Sequence, residues 1–224
     1  KDGSTTLALN TDYTITSCTN NTNAATSSDA NAPTVTITGM GNYDNSTAKG
    51  TFTIGKKDIT NAATFSAITA QTYTGTEIKP TPTVSIVLVD GAPATDLDSS
   101  ADFDYGYTNN KGAALSTDAS APTVTVTGKG NFTGTASTKF TIKPKSANGL
   151  TVTVGGTYTY KGSAIEPAPT DISVSDGTTS LNYNTDYTIS YNNNTDAGTT
   201  AEVIITGKGN YDSSTNKTAN FTIG

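Results

Sequence analysis

VIITGKGNYDSST, residues 203–215, decides how the chain is read. β-Branched residues lead into Gly207-Lys208-Gly209-Asn210, a spacing that invites comparison with a phosphate-binding loop. Such a loop holds phosphate when its backbone N–H groups open a helix, and it belongs to one asymmetric cleft. Here the pattern stands three times, as TITGMGNYDNST at 36–47, as TVTGKGNFTGTA at 125–136 and at 203–215. A signature copied along one chain belongs to the scaffold of a repeated module. After each copy the sequence turns extended rather than helical, so a tight turn is expected. The aromatic residue that follows, Tyr43, Phe132 or Tyr211, reads as a plug closing one end of a module.

Gly39, Gly128 and Gly207 are equivalent, which sets periods of 89 and 79 residues, each the size of a small domain. Further motifs keep the same order. YTGTEIKP at 73–80 matches YKGSAIEP at 160–167. TDYTITSCTNN at 11–21, ADFDYGYTNN at 101–110 and TDYTISYNNN at 185–194 share one slot, and FTI closes each copy at 52–54, 140–142 and 221–223. The first copy lacks the YxGxxIxP opening, because KDGSTTL at 1–7 aligns with SDGTTSL at 175–181. The expected modules are therefore 1–55, N-terminally truncated, then 56–143 and 144–224. The polar stretches GKKDITN at 55–61 and KPKSANG at 143–149 read as the joints. A chain opening at Lys1 without Met reads as a piece excised from a longer protein.

Alternation supplies the strands. Tyr187, Ile189 and Tyr191 fall on one face, as do Phe103, Tyr105 and Tyr107, and Tyr13 and Ile15. Val35 and Ile37, Val124 and Val126, and Val203 and Ile205 point inward while threonines line the wet face. Tyr158, Tyr160 and Ile165 join the inward set of the last copy. Pro80, Pro82, Pro167 and Pro169 lack the donor a central strand needs, so the segment after YxGxxI is an edge or a strand switch. Short strands separated by turn signals, with no sustained helical period, predict an all-β chain of tandem antiparallel sandwiches.

Composition narrows function. Charged residues are 14% of the chain and the net charge is -6, which offers no basic face for nucleic acid. The absence of His removes His-assisted nucleophiles, and a single Cys with no His leaves no zinc ligand set. Cys18 reads as a buried or half-buried filler. No apolar run reaches the roughly 18 residues of a membrane span. Asp96, Asp98, Asp102 and Asp104 form the densest acidic cluster and are the candidate calcium ligands, although no EF-hand spacing is present. Tyr158 and Tyr183, the aromatics least accounted for by the repeat, with Asp176 nearby, are the candidate glycan contacts. No catalytic residue and no organic cofactor is expected.

The combination of YTGTEIKP, TDYTISYNNN, TGKGNYD and FTI resembles the tandem Ig-like repeats of secreted and cell-wall-attached proteins of Gram-positive gut bacteria. Those repeats often read YTGxxIxP, then DYTVSYxNN, then TGKGNYTG, then FTI. The likeness spans two full copies and most of a third; the second copy departs with DFD and the first with TGMGN. The resemblance implies Ig-like modules, an extracellular location and neighbouring domains of a larger surface protein as partners. It implies a non-enzymatic stalk or adhesion region, with a carbohydrate-binding accessory module for mucin, starch or another host or dietary glycan as the alternative.

Overall fold

In the computed structural model, which describes residues 1–224, the chain is all-β; the only helical pieces are single 3-10 turns at Gly41–Tyr43, Ala147–Gly149 and Pro169–Asp171. The first copy of the repeat contributes β1 (Tyr13–Thr19), β2 (Thr34–Gly39) and β3 (Thr47–Thr51). The second contributes β4 (Lys57–Asp58), β5 (Thr64–Phe65), β6 (Gln71–Thr72), β7 (Val84–Ile86), β8 (Thr95–Asp96), β9 (Phe103–Thr108), β10 (Thr123–Gly128), β11 (Phe132–Thr133), β12 (Thr135–Lys139) and β13 (Ile142–Lys143). The third contributes β14 (Lys145–Ser146), β15 (Thr151–Val154), β16 (Ile172–Asp176), β17 (Thr179–Ser180), β18 (Tyr187–Asn192), β19 (Gly198–Gly207), β20 (Tyr211–Asp212) and β21 (Asn216–Ile223).

One three-stranded sheet recurs in every copy, ordered β1-β2-β3, β9-β10-β12 and β18-β19-β21. A second three-stranded sheet, β5-β7-β8 or β15-β16-β17, is present in the second and third copies. By backbone proximity the chain divides into two compact units. One is residues 1–66, 81–106 and 125–137; the other is 67–80, 107–124 and 138–224, so the second copy of the repeat contributes to both.

In the second unit the core is β-sandwich-like. Val174 of β16 and Tyr187, Val203, Ile205, Phe221 and Ile223 of β18, β19 and β21 share one buried cluster with Leu150 and Ile165. The period of two is explicit along β19, where Ala201, Val203 and Ile205 are buried and the residues between them are half-buried. In the first unit Ile59, Val84, Ile86, Phe103, Val126 and Phe132 form the corresponding cluster, all from the second copy. Pro80 and Pro82 lie between β6 and β7, outside any strand, and Pro169 opens a 3-10 turn, as the missing donors require.

The joints differ from free linkers. Lys57–Asp58 adds in parallel to Phe132–Thr133, and Lys145–Ser146 adds in parallel to Tyr211–Asp212, each just after a glycine turn. The backbone N–H groups of Lys57 and Lys145 donate to the carbonyls of Asn131 and Asn210. Chain that the sequence marks as linker is thus stitched onto the turn of the copy it enters.

The first copy departs from the expected burial. Val35 and Ile37 are only half-buried, whereas their equivalents Val124, Val126, Val203 and Ile205 are fully buried, and Ile15 is 52% exposed. A β-bulge between Ile15 and Ser17 inserts one residue, which β18 lacks opposite β19. Cys18 consequently occupies the slot of Tyr107 and Tyr191, and it is exposed rather than a filler. Those tyrosines donate to the carbonyls of Pro80 and Pro167. Tyr160, expected inward, is 53% exposed.

Native-state hydrogen exchange is expected to be faster across 1–54 than across 144–224, because burial is what separates their local opening energies. Ile205→Ala should cost about 2–5 kcal/mol and Ile37→Ala less than half of that. Equal protection of the two segments would contradict this difference in packing.

Candidate functional site

The glycine turn is the part of the chain whose sequence most resembles a ligand loop. Its first glycine is a point of close backbone approach. A Cβ on Gly128 would stand 2.8 Å from the Thr133 backbone nitrogen, and one on Gly207 would stand 2.6 Å from the Asp212 carbonyl oxygen. The second glycine takes left-handed geometry in all three copies, with φ of 59° at Gly41, 58° at Gly130 and 64° at Gly209. The aromatic N–H then closes the turn onto the carbonyl of Met40, Lys129 or Lys208. No α-helix follows, so the donors a phosphate would need are not presented.

The turn's remaining groups are used by the scaffold. The N–H of Met40, Lys129 and Lys208 donates to the carbonyl of Asp12, Asp102 and Asp186 respectively. The same three carboxylates accept the backbone N–H four residues earlier, from Ala8, Asp98 and Asn182, at 2.8, 2.8 and 2.9 Å. This aspartate, the one that precedes the strand aromatic, therefore holds its own loop and the glycine turn together.

The asparagine pair is equally accounted for. Asn20, Asn109 and Asn193 adopt left-handed φ of 54°, 54° and 53°. The next residue, Asn110 or Asn194, exchanges bonds with the isoleucine of YxGxxI: its carbonyl accepts the N–H of Ile78 or Ile165, and its Nδ2 donates back to that residue's carbonyl. The turn asparagine reaches across to the preceding copy. Asn131 Oδ1 accepts the Ala24 N–H at 2.8 Å and Asn210 Oδ1 accepts the Ala113 N–H at 2.8 Å. Sequence reading missed these asparagines as contacts, although their fixed place after two glycines was the available signal.

The four candidate calcium ligands are not brought together as a ligand set. Asp96 accepts the Ser85 hydroxyl, Asp98 accepts the N–H and hydroxyl of Ser100, Asp102 accepts the Asp98 N–H, and Asp104 pairs with Lys129 at 2.6 Å. Each carboxylate serves a separate local partner, and no group of three metal-ligating side chains converges anywhere in the chain. The Ser100 bonds hold the Asp98 carboxyl below its ordinary value.

The candidate glycan contacts also have separate partners. Tyr158 donates to the Gly155 carbonyl at 2.6 Å and meets Phe221 edge-on, with centroids 5.3 Å apart. It lines an open depression of about 450 Å³ with Val154, Phe221 and Asn220. Tyr183 is 41% exposed and lies tilted against Tyr187 at 6.0 Å. Asp176 is engaged by the Lys145 ammonium, 2.7 Å from both carboxylate oxygens, and by the Tyr211 hydroxyl at 3.2 Å. Asp176 is thereby the anchor of the joint strand β14 and of the aromatic plug.

No protein-family profile, curated protein or solved structure matches the chain.

Burial, and after it the neighbouring Asp176 charge, pushes the Tyr211 phenol well above its ordinary value of 10.0. A phenol raised in the fold favours its neutral form there. Its contribution to stability is complete below about pH 10 and is lost as pH climbs from there towards the folded value. Tyr211→Phe should therefore cost about 1 kcal/mol at neutral pH, through the lost hydrogen bond to Asp176. The same change should weaken the fall in stability between pH 9 and 11. Urea unfolding across that range provides the check, and identical pH slopes for the two proteins would refute the assignment.

Proposed function

We propose that the chain is a non-catalytic, extracellular stalk or adhesion repeat region of a bacterial surface protein, built from tandem Ig-like β-sandwich modules. The observation that carries this reading is the use made of the repeated signature. The turn glycines of every copy, the aspartate before each strand aromatic, and Asn110, Asn131, Asn194 and Asn210 of the second and third copies engage backbone within or between copies. A sequence kept for its internal bonds suits a spacer, whose requirement is the same geometry at every repeat. Linked modules also raise the effective concentration of any weak contact they carry.

The open depression beside Tyr158 and the exposure of Tyr183 favour a second reading, a glycan-binding accessory module. Against it, the Tyr158 hydroxyl and the Asp176 carboxylate already have partners in the chain. Affinity gels cast with starch, mucin or bacterial cell-wall glycan distinguish the two readings. The spacer reading expects mobility unchanged from a glycan-free gel. Retardation by any one glycan, abolished by Tyr158→Ala or Tyr183→Ala, would replace it with the accessory-module reading.

A further inference from the structure

The contact between successive copies has two halves, a turn asparagine with its aromatic on one side and a tyrosine with an alanine N–H on the other. In the second and third copies the turn asparagine is half-buried and accepts an alanine N–H of the copy before it. Within the second unit that contact has an apolar component as well. Tyr73, the first residue of YTGTEIKP, packs edge-on against the Tyr211 plug with centroids 5.8 Å apart. The receiving surface of the second copy is thus Tyr73 together with the Ala113 N–H.

The equivalent residues of the third copy are Tyr160 and Ala197, fixed by the alignment of YKGSAIEP with YTGTEIKP and of the two asparagine pairs. They are built in the same way. The N–H of Tyr73 donates to the Lys143 carbonyl, and the N–H of Tyr160 to its equivalent, the Gly224 carbonyl. Gly75 and Gly162 beside them both take left-handed φ, 81° and 74°. Yet Tyr160 is 53% exposed where Tyr73 is half-buried, and Ala197 is exposed with its N–H unpartnered where Ala24 and Ala113 are half-buried and bonded. At the other end Asn42, the equivalent of Asn131 and Asn210, is exposed as well.

From this we infer that Tyr160 and the Ala197 N–H form a docking surface for a second copy of this repeat. That copy presents the asparagine and aromatic of its TGKGN turn, the asparagine oxygen to Ala197 and the ring to Tyr160. An exposed tyrosine beside an unpaired amide is ordinary on a surface. What singles this pair out is that the same two positions one copy earlier are occupied by Asn210 and Tyr211. The contact is heterologous, since donor and receiver surfaces differ, so it extends a series instead of closing a pair. The few bonds involved suit a partner supplied at high effective concentration through a covalent joint.

The inference deepens the tandem-module reading, and its test reads one amide, so retardation on a glycan gel would overturn that reading without touching this result. The full chain is extended after Gly224 by a copy of residues 56–143, which restores the Gly-Lys-Lys junction found at 55–57. Hydrogen exchange followed by NMR should show the Ala197 amide slowing by about tenfold or more, towards the rate of Ala113. Asn→Ala at the added copy's equivalent of Asn131 should return Ala197 to its original rate, while the core amides of the added copy stay protected. An unchanged Ala197 rate in an extended chain whose added core is protected would overturn the proposal. If that extension does not fold, extension by residues 144–224 serves in its place. Failure of both would also count against it, because the internal copies fold on this same kind of joint.

Discussion

Between the two glycines of each TGxGN turn the backbone doubles back on itself so closely that no side chain fits at the first position. The Thr133 nitrogen and the Asp212 carbonyl stand where a Cβ on Gly128 or Gly207 would need space. The other contacts of the turn depend on that approach. It brings the N–H of the next residue to the aspartate carbonyl, points the aromatic into the end of the module and aims the asparagine at the copy before it. A phosphate loop uses glycine to let a ligand come near; here the near neighbour is the chain itself.

The same economy runs through the other motifs. With 33% hydrophobic residues the cores are small, and much of the specification passes to hydrogen bonds between backbone and short polar side chains. Asp12, Asp102 and Asp186 each hold a loop, Asn110 and Asn194 each clamp an isoleucine, and Tyr107 and Tyr191 each hold a proline carbonyl. These bonds join segments 20 or more residues apart in the case of the asparagines and tyrosines. They fix which strand lies beside which where apolar packing alone would leave latitude. Asp176 adds the one part-buried ion pair, with Lys145, and so ties the joint to the plug of the copy that follows it.

Much of this was legible in the sequence. Strand faces followed from alternation, and the three-fold recurrence of the glycine signature argued for scaffold before any geometry was known. The inward set of the third copy was right at Ile165, Tyr187, Val203 and Ile205. It failed at Tyr160, because the residue that buries its counterpart Tyr73 comes from the next copy, and a single-module reading has no neighbour to supply it. The reading of Cys18 as a filler failed although the one-residue bulge in β1 carries it into the slot of Tyr107 and Tyr191: it is exposed there, and a bulge leaves no mark in the alternation of so short a strand. The four clustered aspartates share a stretch of sequence, but each carboxylate takes a separate local partner. The link made by Asn131 and Asn210 was hidden for a different reason. Its partners lie about a hundred residues away, and only the fixed position of the asparagine hinted at a role.

The most direct test of the account is a pair of glycine substitutions compared by equilibrium unfolding. Gly207→Ala places a methyl group against the Asp212 carbonyl and Tyr211 backbone, and is expected to destabilise the protein by about 1–3 kcal/mol. Gly149→Ala meets nothing within 4 Å and should be neutral or slightly stabilising. Equal stability of the two variants would contradict the claim that the repeated glycine turn is kept by close contact within its own backbone.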